Sequence, residues 1–229
     1  VKYAALIISA LVSAVAGYLF WGPGAGVNRS GQPQVLQFQF EIGEQTVPVE
    51  ISDRYFTVSS LPKPEKDVVR GFVVLIDDRS LEPSVSSARE DDQTIAIRYT
   101  AYVEGFIDKF LDRDHPNYYT KYSLEDQAYG LRRLSLAQRD DLAPDQQDRS
   151  FLLARRKGQD GAHDLLIECQ QVVSRLAPPP CLMLAPLPNG VVREVTFNAG
   201  RIAAWREVED ATSRFSASIG IDGPPIAGR

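Results

Sequence analysis

Sulfur and imidazole are scarce in this chain. Its 229 residues include two cysteines, one methionine and two histidines. A metal site built on His115 and His163 would need carboxylates brought in from distant strands. Both histidines fall in predicted turns, where a solvent-facing role is the plainest expectation. Reaction-specific motifs are missing as well. There is no His-Glu-x-x-His, no Gly-x-Ser-x-Gly nucleophile elbow, no phosphate loop and no dinucleotide fingerprint. Adjacent acids such as Asp77-Asp78 and Asp140-Asp141 do not make a catalytic pair, because neighbours on a strand point to opposite faces. Clustered basic charge is also lacking. The 25 Lys and Arg are scattered and outnumbered by 30 Asp and Glu, which argues against nucleic acid as a partner. No catalytic residue, cofactor or metal is expected from these residues.

Charge is missing from one long stretch. No charged residue lies between Lys2 and Arg29. Tyr3 to Trp21 is apolar and uncharged, and at about 1.5 Å per residue it nearly spans a hydrocarbon core of about 30 Å. Tyr18, Phe20 and Trp21 cluster at its end, where aromatic rings favour the headgroup level. Residues 1–21 are therefore read as a single transmembrane anchor in contact with the lipid bilayer through 3–21. A cleaved signal peptide ending at Ala14-Val15-Ala16 is the rival, but the apolar run continues past that point. Lys2 ahead of the run favours the N-terminus inside. The expected location is a bacterial-type inner membrane, single-pass, with the folded part in the periplasm.

Residues 22–34 are rich in Gly, Pro and polar side chains and read as a flexible linker. Residues 35–219 form the expected domain, large enough to bury a core. Leu36, Phe38 and Phe40 alternate onto one strand face, as do Val47, Val49 and Ile51, with a hairpin at Gly43-Glu44. Tyr55–Val58 is a short strand candidate, and Phe72–Ile76 reads as a central strand. Ile95, Ile97 and Tyr99 mark another strand. Phe106, Ile107, Phe110 and Leu111 share a helix face. Ser123 to Leu134 is read as a second helix, with Ser123 and Asp126 at a capping-box spacing. Residues 137–149 read as a polar loop.

Two hairpins follow. One pairs Phe151–Ala154 with Leu165–Cys169, and the other pairs Cys181–Leu184 with Val191–Phe197 around Pro188-Asn189-Gly190. Asn198 is placed to cap a last helix, whose Ile202, Trp205, Val208, Phe215 and Ile219 should pack on the sheet. Arg206–Asp210 and Asp210–Arg214 have ion-pair spacing on its wet side. Gly220 should stop the helix, and 220–229 reads as a disordered tail. The fold class is α+β: a transmembrane helix, a mostly antiparallel sheet, and a C-terminal amphipathic helix packed on it.

Cys169 and Cys181 border adjacent predicted strands. Their spacing is wrong for a Cys-x-x-Cys redox pair or a zinc knuckle. In an exported domain a structural disulfide is expected, worth roughly 3 kcal/mol. Aromatic residues are concentrated. Six of the nine tyrosines fall between Tyr99 and Tyr129, and Tyr118, Tyr119 and Tyr122 are the candidate partner interface. Together these readings predict a non-enzymatic, membrane-anchored periplasmic interaction module, an accessory or assembly subunit of a membrane protein complex. The alternatives are an inhibitor or immunity protein for an exported partner, and a periplasmic hydrolase using carboxylate chemistry. A protein partner is common to the first two.

Overall fold

Period-two alternation of apolar side chains dictates strands with one buried face, and two sheets result. The computed structural model describes residues 31–43, 45–57, 61–62, 68–84, 93–102, 104–111, 122–136, 151–157, 161–169 and 180–223. The proposed anchor with Tyr18, Phe20 and Trp21, most of the linker, Tyr118 and Tyr119, the 137–149 loop and residues 224–229 lie outside these. No helix among the described residues is long and apolar enough to cross a membrane.

The smaller sheet has three strands. β1 (Val35–Ile42) pairs antiparallel with β2 (Gln45–Ser52), from Val35 opposite Ser52 to Ile42 opposite Gln45. Gly43, at φ +62°, begins the turn between them. β3 (Val68–Val69) lies parallel on the other side of β1. The strand expected at Tyr55–Val58 does not form. Asp53–Tyr55 is instead a 3-10 turn, capped by the Ser52 hydroxyl accepting from the Arg54 N–H. That turn drives Phe56 into the core, where it is fully buried.

The larger sheet has eight strands: β4 (Gly71–Asp77), β5 (Thr94–Ala101), β6 (Tyr122–Ala128), β7 (Leu131–Leu136), β8 (Phe151–Arg156), β9 (His163–Cys169), β10 (Pro180–Pro186) and β11 (Val191–Asn198). Their spatial order is β4-β5-β11-β10-β9-β8-β7-β6, and every neighbouring pair is antiparallel. β4 is thus an edge strand and not the central one its apolar run suggested. The run reflects two covered faces. Phe72 meets Phe38, Phe40, Phe56 and Tyr99 with ring centroids 5.0–6.1 Å apart, joining the two sheets. The chain after β4 folds back to shield its edge, with the Ser84 N–H donating to the Leu75 carbonyl and Ile76 bridged to Pro83.

The helix expected over Ser123–Leu134 is the β6–β7 hairpin. Tyr129 (φ +55°) and Gly130 (φ +75°) form its two-residue turn. Positive φ at both turn positions matches the twist of the flanking strands. Pairing of β7 with β8, Arg132 opposite Ala154, completes the override of helical spacing. The short helix α1 (Phe106–Leu111) forms as expected and buries Ile107.

The C-terminal helix also forms as expected. The Asn198 carboxamide oxygen accepts from the Gly200 N–H at 2.7 Å, starting a 3-10 segment, Ala199–Ala204, that leads into α2 (Trp205–Ser218). Trp205, Val208, Ala211 and Phe215 face the sheet and are buried. Gly220, at φ +77°, ends the helix, with the Gly220 N–H bonded to the Ala217 carbonyl and the Ile221 N–H to the Ser216 carbonyl. This is the Schellman pattern, and buried Ile221 supplies its hydrophobic contact. The fold is α+β, a mostly antiparallel sheet with α2 packed on one face.

Candidate interaction surface around the C-terminal helix

The cysteines meet as expected. Cys169 and Cys181 stand directly opposite one another on β9 and β10, with Cα atoms 4.2 Å apart, and are disulfide-bonded. Both are buried in the main core, so the bond is structural. The described tyrosines of the segment lie on different elements, and Tyr118 and Tyr119 lie outside the described residues. Tyr122 begins β6. Tyr99 is fully buried, its hydroxyl 2.9 Å from that of Ser216, and burial pushes its pKa far up. Tyr129, the last tyrosine of the segment though not among the three singled out as the partner interface, stands at a hairpin tip, 46% exposed.

Three polar features line α2. The first lies beneath it. Arg193 points inward from β11 and is 2% exposed. Its Nη1 donates to Ser213 Oγ at 2.9 Å and reaches Ser216 Oγ at 3.5 Å, while its Nε has no partner. Burial lowers its pKa, opposed by the fields of Tyr99, Glu209 and Asp222. A buried guanidinium held mainly by hydroxyls costs desolvation, and it fixes how helix and sheet meet.

The second is a cleft of about 750 Å³ where the end of β4 approaches α2. Asp78, Arg79, Arg201, Glu207, Asp210 and Arg214 line it. Buried Asp78 pairs with Arg201 through Oδ2, and its Oδ1 has no hydrogen-bond partner. The neighbouring Asp77 accepts from the N–H groups of Ser80 and Arg79 and from the Ser80 hydroxyl, which together hold its carboxyl below the usual range.

The third surrounds Trp205 at the start of α2. Its indole N–H donates to the Tyr129 carbonyl at 3.0 Å, docking the β6–β7 turn on the helix. Arg155 lies over the indole at 5.6 Å and is itself clamped by Glu209 at 2.7 and 2.8 Å and by Asp164 at 3.0 Å. Arg206 lies over the same ring at 4.6 Å. The helix-spaced pairs Arg206–Asp210 and Asp210–Arg214 are not formed. For Arg206, stacking on the indole takes the place of the ion pair.

His163 is not the solvent-facing turn residue expected. It opens β9 and is buried. Arg156 Nε, which can only donate, sits 3.2 Å from His163 Nε2. The imidazole proton is therefore on Nδ1, 2.7 Å from Asp108 Oδ1 on α1. With both nitrogens engaged, the ring latches α1 to the sheet and has no lone pair free for a metal. Among the described residues no group of three or more His, Cys, Asp or Glu could hold a metal ion. His115 lies outside the described residues.

No protein-family model and no curated protein sequence matches the chain. Its fold is similar to that of an immunity protein of the Stenotrophomonas maltophilia type IV secretion system. The TM-score is 0.58 at 14% sequence identity, over 85% of this chain and 97% of that one. At that identity the likeness is one of fold. Human StAR-related lipid transfer protein 5 aligns over 95% of this chain and 97% of its own at 12% identity, but its TM-score of 0.23 carries no argument.

Proposed function

We propose that this chain is a non-enzymatic protein-binding domain and acts as an immunity protein, binding and neutralising an exported effector. The observation that carries the proposal is the fold shared with the immunity protein over 97% of that chain. The polar framework around α2 is consistent with it. Ion pairs and stacked guanidinium groups give a surface whose side chains are ordered before a partner arrives, which lowers the cost of association. The uncharged stretch 3–21 supports a membrane-held protein whose domain meets its target in the periplasm. The disulfide fits that oxidising compartment.

The second reading is an accessory or assembly subunit of a membrane complex, favoured by the same apolar stretch. A hydrolase reading has less support, since the one described histidine has both ring nitrogens occupied. Mild-detergent extraction of native membranes, native electrophoresis and mass spectrometry of the band tests these readings together with deletion of the coding gene. A discrete complex with one secreted protein, and growth inhibition of deleted cells by secreting siblings, is the expected result. Co-migration with a resident membrane complex and no growth defect would instead establish the accessory role. Migration of the chain alone, with deleted cells unharmed, would overturn both.

A further inference from the structure

We infer that Tyr129 and Arg206 form a preset docking point for a carboxylate-bearing segment of the protein partner. The inference rests on the protein-binding reading and names the surface and chemistry involved. Tyr129 occupies the first position of the β6–β7 turn at φ +55°, a conformation that favours Asn or Gly and disfavours a bulky side chain. The fold uses this residue through its backbone, since its carbonyl takes the Trp205 indole N–H. The ring stands exposed. A strained position filled by an outward aromatic points to a use outside the fold.

Arg206 supplies the charge. It is exposed and makes no ion pair among the described residues. Its neighbour Glu207 makes no ion pair with it among the described residues, and Glu209 is already clamped by Arg155. Yet the guanidinium is held in place. It lies over the Trp205 ring at 4.6 Å, and a Cβ added at Gly130 would sit 2.7 Å from its Nη2, so the turn packs directly against it. A long side chain ordered in advance loses little freedom on binding, and a stacked guanidinium keeps its edge N–H groups to donate. Tyr129 precedes Gly130, the residue against which Arg206 packs, so an exposed ring with a polar hydroxyl sits on the same turn. Ionised Asp or Glu side chains match the guanidinium edge with charge-assisted bonds, and Tyr and Arg are among the residues enriched in binding hot spots.

The test is an NMR titration of ¹⁵N-labelled full chain in mild detergent with a blocked peptide of alternating Glu and Asp. A blocked oligolysine peptide is the control. The acidic peptide should move the Gly130 amide and Trp205 indole cross-peaks saturably, and salt should weaken it. Arg206→Ala and Tyr129→Asn should each weaken binding by about tenfold. Tyr129→Asn gives the turn its preferred Asn-Gly pair, so its Tm should equal or exceed that of the parent. A lowered Tm, equal response to oligolysine, or shifts confined to other surfaces would each overturn the inference. Unchanged affinity of the native partner for both variants would overturn it too, while the protein-binding reading stood. Absence of any native complex would sink that reading by itself.

Discussion

The two faces of the eight-stranded sheet are held by different physics. The inner face packs against the three-stranded sheet and α2 in one continuous apolar core, from Phe40 and Phe72 through Tyr99 and Phe197 to Trp205 and Phe215. The outer face has a small satellite of Ile107, Leu152, Ala154 and Leu166, joined by ion pairs such as Arg98–Glu194 and His163–Asp108. Apolar burial carries no charge to titrate or screen, whereas charge pairs weaken with salt and depend on pH. Apolar stabilisation therefore belongs mainly to the inner face, where charged groups such as Arg193 and the Arg155–Glu209 clamp border α2, and the outer face leans more on charge. The largest break in this comparison is a pair of cavities. Phe197→Ala on the inner face should cost about 3–5 kcal/mol, and Leu152→Ala in the satellite about 2–3 kcal/mol. Urea midpoints at constant m-value measure both, and equal losses would erase the distinction between the faces.

The disulfide sharpens it next. Cys169 and Cys181 face the inner core from directly opposed positions on β9 and β10. Replacing both with Ala should lower stability by about 3 kcal/mol through loss of loop closure in the unfolded chain. Reduction of the parent protein should reproduce most of that loss in the same denaturation assay. A loss below about 1 kcal/mol would mean that β-pairing alone sets the register there.

Much of the inner face was legible in the sequence and little of the candidate surface was. Strands β1 and β2 alternate because one face of each is buried, which is a local signal; β5, β9 and β11 are buried at most positions, and β9–β11 are legible instead through their hairpin turns. The Phe72–Ile76 run was misplaced at the centre of the sheet because periodicity cannot say whether a sheet edge or a returning loop covers a strand. Ser123–Leu134 was misread because Tyr129-Gly130 is an unusual turn pair, and the Ser-x-x-Asp spacing mimicked a cap. The Trp205 surface depends on partners far apart in the chain. Trp205 bonds a carbonyl 76 residues away, Arg155 clamps a carboxylate 54 residues away, and Asp108 finds His163 at a separation of 55. No window of sequence contains those pairs. The signal that was available is Gly130 behind Tyr129, a glycine inside an apparent helix, where it weakens helical structure.

On the outer face two acids should respond to pH with opposite sign. Burial alone would raise the Asp108 carboxyl, but hydrogen bonds from the His163 ring and backbone outweigh it, and the carboxyl lies below its ordinary 3.8. Its stabilising contribution is complete above that value and is lost as pH falls through the lowered pKa. Burial raises the Glu194 carboxyl above its ordinary 4.5, with Arg98 and Thr100 only partly opposing. Its ionised form is therefore disfavoured in the fold. The native state gains relative stability as pH falls through the raised pKa, and loses it as pH rises. Asp108→Asn should flatten the acid limb of the stability curve. Glu194→Gln should raise stability at neutral pH and flatten the limb above 4.5. Denaturant midpoints across pH check both, and parallel behaviour of the two variants would contradict the assigned causes.

The smallest effect lies at the rim, where neither face rules. Arg70 meets Glu41 at 3.0 Å just before β4, with the arginine side chain 85% exposed. Water screens such a pair, and ordering two long side chains consumes most of its Coulomb gain, so Glu41→Gln should cost under about 0.5 kcal/mol. High salt should reduce the parent to the level of the variant. The pair nonetheless ties β1 of the smaller sheet to the bend just before β4 of the larger one. A loss well above 1 kcal/mol that persists in high salt would mean that the aromatic contacts around Phe72 do not by themselves hold the sheets together. The rim would then have to be counted with the inner core as part of what sets the fold.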